Sequence, residues 1–274
     1  MSGAVSDDDL AHWQSWIGRT ETREEVIEAE SLRRYAAVLG ESLDVERTRP
    51  SLAHWATFLP VVPPDQIGVD GHPKRGGFLP PISLPRRMFA SADMRFRGDL
   101  RLGAVAARTS TVRDLRHRSG ASGELVLVEV EHVVTQDGEE RVVERQTILY
   151  RGSGGRVAPV EDRGLGGAET WTPSPVDLFR FSAVTFNSHR IHYDLPYATG
   201  EEGYPGLVVH GPFTAARLFG FATAVAGRPA TFSFRAVAPL FASQPVRLEA
   251  GDDAGTYRAI RCDGVVAMEV KTIL

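Results

Sequence analysis

The sequence predicts an α+β fold of two similar halves, in each of which an antiparallel β-sheet curves around one central helix. The chain has 274 residues, which is enough for one large domain or two of ordinary size. Strand patterns dominate, and Asp-Gly turns join neighbouring strands in both halves. The order of strand, helix and antiparallel strands occurs twice, which indicates an internal duplication.

Two helices are predicted near the start of the first half. From Asp7 to Ile17, apolar residues recur at helical spacing behind an Asp-rich start, which indicates a short capped helix. A second helix is expected from Glu28 to Leu39, and Gly40 ends it.

A proline-rich loop is predicted over residues 58–87, where seven prolines would interrupt a hydrogen-bonded ladder. Irregular segments of this length in compact proteins are usually linkers or binding loops. Phe58, Phe78 and Leu79 make this segment too apolar for a free linker. We therefore expect an ordered loop that packs over a cleft.

Strand patterns fill the rest of the first half, at residues 93–100, 104–115, 124–135 and 141–150. Gln136-Asp137-Gly138 is the expected hairpin turn between the last two strands. The glycine-rich stretch 152–167 has no periodicity, which is typical of a linker. We place an N-terminal domain at residues 1–155 and a C-terminal domain at residues 168–274.

The second half repeats the pattern. A strand is expected at residues 176–183, a short helix at 188–198, and a longer apolar helix at 212–225 with proline in its first turn. Four strands follow, at residues 230–237, 244–250, 256–262 and 265–273. Cys262-Asp263-Gly264 is the expected turn between the last two.

Composition excludes several classes of function. A formal net charge of −4 provides no general basic field for nucleic acid or an anionic membrane. The single cysteine, Cys262, excludes an internal disulfide and a cysteine-based zinc site. The first residues are acidic, and no apolar stretch approaches the ~18 residues that a membrane span requires. We therefore expect a soluble, cytoplasmic protein.

The densest cluster of reactive side chains lies between residues 181 and 212. Three of the eight histidines, His189, His192 and His210, fall within it. On a short helix capped by Ser188, His189 and His192 would share a face. These imidazoles and Asp194 are conceivable metal ligands, but no His-Glu-x-x-His pattern is present, and we expect no metal.

This segment resembles the signature of the MaoC-type enoyl-CoA hydratases. In that signature an Asp is followed five residues later by a His, and then by a His-Gly pair that opens the central helix. Asn187 stands at the position of the Asp, and His192 at that of the catalytic His. His189 and Arg190 take the places of the usual Asn and Pro.

A subgroup is more similar still. The variant Phe-Asn-Ser-His-Arg-Ile-His-Tyr-Asp resembles the mesaconyl-CoA or itaconyl-CoA hydratases and the mitochondrial type 2 hydroxyacyl-thioester dehydratases. In the first half, Arg75-Gly76-Gly77-Phe78-Leu79-Pro80-Pro81 and Leu84-Pro85-Arg86-Arg87-Met88 resemble the mesaconyl/itaconyl branch. The resemblance covers both halves, and it implies a double hotdog fold and a hydro-lyase that acts on acyl-CoA without a cofactor.

The residue types suit this chemistry, because adding water to a conjugated thioester requires a base, an acid for the α-carbon and donors on the carbonyl. A histidine exchanges protons near neutrality, and N–H groups at a helix start stabilise negative charge. We assign His192 as the base and Gly211 as the oxyanion donor. Asn187 cannot act as a base, so we expect it to orient the water, with His189 or Asp194 assisting His192.

The favoured substrate is a C5 dicarboxylic acyl-CoA, mesaconyl-CoA or itaconyl-CoA, with citramalyl-CoA as the product. Arg86 and Arg87, with Arg75 next, are expected to bind its free carboxylate or the CoA phosphates. His210 and Tyr193 join them as substrate-binding residues, although His210 mainly holds the helix start.

The first half is expected to have lost the catalytic pair and to shape the acyl pocket, because its equivalent segment, residues 30–35, contains no histidine. Two double hotdogs are expected to form a homodimer. A hotdog thioesterase is the alternative enzyme, but it would need a carboxylate where Asn187 stands. A non-catalytic acyl-CoA-binding module is the remaining alternative.

Overall fold

A computed structural model describes residues 5–120, 123–164, 166–167 and 169–274. The domain limits placed at residues 1 and 168 fall outside these ranges. No helix in the described ranges is long and apolar enough to cross a membrane.

The described chain contains five α-helices and ten β-strands. The helices are α1 (Asp7–Gln14), α2 (Ala29–Leu39), α3 (Pro175–Val184), α4 (Leu195–Gly200) and α5 (Gly211–Ala226). The strands of the first half are β1 (Thr20–Val26), β2 (Arg86–Phe96), β3 (Val105–Gly120), β4 (Gly123–Gln136) and β5 (Glu139–Arg151). Those of the second half are β6 (Thr170–Trp171), β7 (Thr231–Ala236), β8 (Val246–Ala250), β9 (Thr256–Arg261) and β10 (Val266–Ile273).

All ten strands form one antiparallel sheet in the order β1-β3-β4-β5-β2-β7-β10-β9-β8-β6. The two halves therefore have the same strand order when each is counted from the outer edge of the sheet. The first strand of each half is outermost, and its second strand lies at the middle of the whole sheet. A helix follows the first strand in each half, α2 after β1 and α5 later in the chain after β6. The halves meet where β2 pairs with β7, so the duplicated topology is continuous across the sheet.

The two central helices share one hydrophobic core. Leu32 and Tyr35 of α2 and Phe213 and Phe219 of α5 belong to the same cluster of buried side chains. The helix α2 ends as predicted at Gly40, which adopts a left-handed conformation at φ 69°. Packing against the sheet removes the apolar faces of both helices from water.

The segment predicted as a strand at residues 176–183 is instead the helix α3, so that prediction was wrong. Its start carries a complete capping box, in which Ser174 Oγ accepts from the Asp177 N–H and Asp177 Oδ2 accepts from the Ser174 N–H. Pro175 occupies the first turn, where its missing N–H costs nothing. Leu178 and Phe181 are buried at a helical spacing that sheet alternation does not explain.

The helix predicted at residues 188–198 is also corrected. The chain forms a short 3-10 turn at Arg190–His192 and then α4. Asp194 begins α4, because its Oδ1 accepts the Tyr197 N–H at 3.1 Å. Pro196 in the first turn has no N–H with which to continue an earlier helix.

Candidate active site

A cavity of about 310 Å³ is lined by residues of both halves of the chain. One side is formed by residues 185–188, by Pro212 at the start of α5, and by Gly71 and His72 of the proline-rich loop. The lining also includes polar side chains from β3, β4 and β5. The loop thus packs over a cleft, as the sequence predicted.

His192 is buried, with 6% of its surface exposed, and it is not one of the described residues that line this cavity. Its Nδ1 lies 2.7 Å from the carbonyl oxygen of Val208, so Nδ1 carries the hydrogen and donates it. The Nε2 lone pair is therefore left to accept a proton. Burial lowers the pKa of His192 to about 3, although the bond to Val208 opposes the shift. The ring is consequently neutral at pH 7.

The other two histidines of the motif contact His192. The ring of His210 stacks on it with centroids 3.6 Å apart, and that of His189 meets it edge to face at 5.3 Å. His210 Nε2 lies 2.9 Å from Ser182 Oγ, which fixes this ring behind the start of α5. Burial lowers the pKa of both His189 and His210. The result is a row of neutral imidazoles.

Asn187 lines the cavity directly. Its Oδ1 accepts the backbone N–H of His189 at 3.0 Å, so the oxygen end of the amide is occupied. The Nδ2 group is the end available to a ligand, and it can only donate hydrogen bonds. Asn187 can therefore hold a water molecule or a carbonyl, but it cannot take a proton.

Asp70 and His72 form a pair that the sequence analysis did not identify. Asp70 Oδ2 lies 3.1 Å from His72 Nδ1, and Asp70 Oδ1 accepts the His72 N–H at 3.0 Å. The ring of His72 lies 4.0 Å from that of His189. Burial, with the charge of Arg87, lowers the pKa of His72 to about 4, although Asp70 opposes the shift. His72 is thus a fourth neutral imidazole, and it lines the cavity.

The carboxylate of this pair is ionised. Burial acts against ionisation of Asp70, but the hydrogen bonds from His72 and the charge of Arg87 outweigh it, so its pKa lies below the ordinary value. Asp70 therefore supplies a negative charge to the histidine row. The isolated Asp-Gly-His-Pro sequence within a proline-rich loop gave no periodic signal that would have revealed this pair.

The loop is fixed to the catalytic segment at Gly71. Ser188 Oγ donates to the Gly71 carbonyl, and the Arg190 N–H donates to the Asp70 carbonyl at 2.9 Å. Gly71 has φ +89°, and a Cβ built on it would lie 1.8 Å from the Ser188 carbonyl oxygen. Only glycine permits this approach.

The metal ligands considered from sequence do not assemble as a set, because Asp194 Oδ2 is bound by Arg190 at 2.7 Å. Asp70, His72 and His189 do lie close enough to hold a metal ion. The Asp70–His72 hydrogen bond already joins two of these three groups. This arrangement also suits a carboxylate that orients an imidazole.

Gly211 is the first residue of α5. Its N–H therefore has no acceptor within the helix, and the helix dipole adds positive potential there. Pro212, the next residue, lines the cavity. Gly211 therefore directly precedes a residue of the cavity wall, and its role as the oxyanion donor stays a prediction.

The substrate-binding residues predicted from sequence have different surroundings. Arg75 donates to the carbonyls of Ile82, Leu84 and Pro85, so it holds the loop together. Arg86 is buried and forms an ion pair with Glu202 at 3.0 Å. Arg87 lies beside Asp70 and His72, whose pKa values it lowers. The half-exposed Tyr193 donates from its hydroxyl to the Ser188 carbonyl at 3.1 Å.

Known proteins share both the sequence and the fold. The family model for hydroxyacyl-thioester dehydratase type 2 matches residues 52–242. The mesaconyl-C(4)-CoA hydratase of Chloroflexus aurantiacus is 47% identical over 247 residues, covering 87% of this chain and 88% of that protein. HtdX of Mycobacterium tuberculosis has a similar structure, with a TM-score of 0.68 and 18% identity over 93% of this chain and 99% of that one.

A second structure from Mycobacterium tuberculosis, described as a double hotdog, matches with a TM-score of 0.55 and 12% identity over 94% of this chain and 96% of that one. The predicted double hotdog fold is therefore confirmed. The family match spans most of the chain and includes the segment from Asn187 to Gly211. This protein belongs to the hydroxyacyl-thioester dehydratase type 2 family of MaoC-like hydratases and dehydratases.

Proposed function

We propose that this protein adds water reversibly to the double bond of a 2-enoyl-CoA thioester, with mesaconyl-CoA as the favoured substrate and citramalyl-CoA as the product. The observation that carries the proposal is the neutral, buried His192, whose Nδ1 is fixed on Val208 and whose Nε2 is free to accept a proton. The identity to a mesaconyl-C(4)-CoA hydratase over 87% of the chain supports the substrate.

In the hydration direction, the oxygen of water forms a bond to the β-carbon while His192 Nε2 takes one of its protons. The electron pair of the double bond moves towards the thioester carbonyl, which becomes enolate-like. The N–H of Gly211 stabilises the charge on that oxygen. A proton returned to the α-carbon completes the addition, so the enzyme is regenerated unchanged.

Asn187 has a positioning role in this scheme, because its free Nδ2 group can donate to the water or to the thioester but cannot accept a proton. Removing it by Asn187→Ala should raise the barrier by about 1–3 kcal/mol through the loss of one oriented hydrogen bond. Asn187→Asp should be tolerated or faster. Steady-state hydration of mesaconyl-CoA measures both effects, and complete inactivation by Asp would contradict the role.

His72 and Asp70 supply the charge that the missing carboxylate at position 187 does not. The imidazole faces the cavity, and the ionised Asp70 fixes its tautomer. We assign this pair to the return of the proton: the proton that His192 takes from water passes by way of His189 to His72, which gives it to the α-carbon, and Asp70 stabilises the protonated imidazoles. Asp70 is then a positioning residue, which acts through His72.

His72→Asn should lower kcat by about 10–10²-fold with little change in KM, because Asn keeps a donor to Asp70 but has no basic nitrogen. Asp70→Asn should lower kcat less and shift the pH profile, whereas Asp65→Asn, on an exposed residue of the same loop, should change neither. The measurement is the rate of mesaconyl-CoA hydration at a series of pH values. A kcat within about threefold of wild type for His72→Asn would remove His72 from the scheme.

Two rival functions would give different products from the same thioester. A thioesterase releases free CoA thiol, a binding module leaves the thioester intact, and a hydratase yields citramalyl-CoA. Chromatographic analysis of mesaconyl-CoA after incubation with the protein therefore separates the three. Appearance of thiol without hydroxyacyl-CoA would refute the hydratase proposal.

We also propose that the two halves have different tasks. The second half carries His192 and Gly211, whereas the first half shapes the acyl pocket and supplies the loop with His72. A homodimer of double hotdogs remains a prediction, and sedimentation velocity would test it.

A further inference from the structure

Polar side chains from three adjacent strands of the first half line the cavity. Arg108 lies on β3, His132 on β4, and Glu144 and Gln146 on β5. His132 pairs directly with Glu144 across the strands, and Arg108 pairs with Val134, two residues further along β4. Residues two apart in a strand share a face, so these side chains lie on the same face of the sheet, and all of them line the cavity.

Glu144 is the anion of this group, and its partners are already in place. Its carboxylate lies 3.1 Å from His54 Nε2 and accepts from Trp55 Nε1 at 3.1 Å and from Gln146 Nε2 at 2.9 Å. Burial opposes ionisation, yet the bonds from His54 and Gln146 lower the pKa of Glu144 to about 2. Glu144 is therefore a satisfied carboxylate.

Arg108 is different, because within the described ranges its guanidinium forms no ion pair and its buried Nε has no hydrogen-bond partner. Its Cζ lies 5.4 Å from the ring centroid of Phe58, which also lines the cavity. Leaving a partly buried guanidinium without a partner is costly. The cost is removed if a ligand brings an anion to this point.

Nearby carboxylates on β1 are engaged elsewhere. Arg23, the cross-strand partner of Arg108, forms an ion pair with Glu21 at 3.4 Å. Glu25 accepts the backbone N–H of Phe58 at 2.6 Å. Glu21, Glu25 and Glu144 lie near enough to act on the charge of Arg108, but within the described residues none of them forms an ion pair with it.

We propose that Arg108 binds the free carboxylate of a dicarboxylic enoyl-CoA, and that it is the residue that selects such substrates. The inference rests on the proposed hydratase function, which it deepens. In mesaconyl-CoA joined to CoA through carbon 4, the free carboxylate is attached to the carbon that receives the hydroxyl. A fork of guanidinium donors matches both oxygens of that group. Arg75 and Arg86, by contrast, are engaged with loop carbonyls and Glu202.

The test compares mesaconyl-CoA with crotonyl-CoA, which has the same carbon skeleton apart from the free carboxylate. Arg108→Met keeps the length and apolar stem of the side chain but removes its charge. The ratio of kcat/KM for mesaconyl-CoA to that for crotonyl-CoA should fall by about 10²-fold. Arg108→Lys should retain part of the ratio, since it keeps the charge but not the fork. Arg116→Met, on the exposed face of the same strand, is the matched control and should leave the ratio unchanged.

Each outcome has a separate meaning. An unchanged ratio in Arg108→Met, or equal losses on both thioesters, would overturn the assignment of Arg108 to the carboxylate. If Arg108→Met does not fold, as judged by thermal denaturation, an unchanged ratio in a folded Arg108→Lys overturns it. If the wild type hydrated neither of the two thioesters, the proposed function itself would be refuted.

Discussion

Substituting His192 by alanine is expected to lower kcat for mesaconyl-CoA hydration by about 10²–10⁴-fold, because the change removes the proposed base from the site. His192 is buried, and its Nδ1 donates to the Val208 carbonyl. Its Nε2 is therefore the atom that can accept a proton. Initial rates, followed by the loss of the conjugated thioester absorbance, give the measurement.

A matched pair of variants separates chemistry from packing. His192→Asn retains a donor in the position of Nδ1 and so preserves the bond to Val208, but it has no basic nitrogen. It should be as inactive as His192→Ala, while the exposed His12→Ala should have wild-type rates. An activity within about threefold of wild type in His192→Asn would show that another group is the base.

The pH profile provides an independent check. The pKa of His192 is lowered from 6.5 to about 3 in the folded protein. A lowered pKa keeps the imidazole neutral, and therefore basic, as the pH falls below 6.5. The acid limb of kcat/KM should accordingly lie below pH 6.5 in the wild type.

The duplication could be predicted from the sequence, but the first strand of each half could not. The strand β1 is Thr-Glu-Thr-Arg-Glu-Glu-Val, whose charged residues hide the alternation of an edge strand. The strand β6 has only two residues, and pairing with β8 defines it. In α3, Phe181 and its apolar neighbours have high strand propensity, but the capping box at Ser174 stabilises the start of a helix.

The sequence could point to candidate residues where they are close together in the chain. Asn187, His192 and Gly211 lie in one segment; Asn187 lines the cavity, while the roles of His192 and Gly211 stay predictions. His72 and Arg108 could not be found in this way, because the loop and the strand β3 bring them to the site from more than 70 residues away. From the sequence alone, an arginine of β3 that faces the cavity cannot be distinguished from a surface arginine, because the sheet register is not known.

The contact between loop and catalytic segment gives the last prediction. Gly71→Ala should lower kcat by about 10²–10³-fold, because the contacting backbones must separate and small displacements of catalytic groups have effects of this size. The new Cβ would lie 1.8 Å from the Ser188 carbonyl oxygen and 3.2 Å from the Arg190 nitrogen. The positive φ of +89° adds strain for any residue with a side chain.

Gly77→Ala is the matched control in the same loop, because a Cβ at that position meets nothing within 4 Å. It should leave kcat unchanged, whereas Gly71→Ala should separate His72 from His189 and Asn187. Thermal denaturation distinguishes a local displacement from unfolding, since both variants should still melt in one cooperative transition. If Gly71→Ala were as active as Gly77→Ala, the loop would not position the catalytic segment, and the assignment of His72 to the reaction would fail with it.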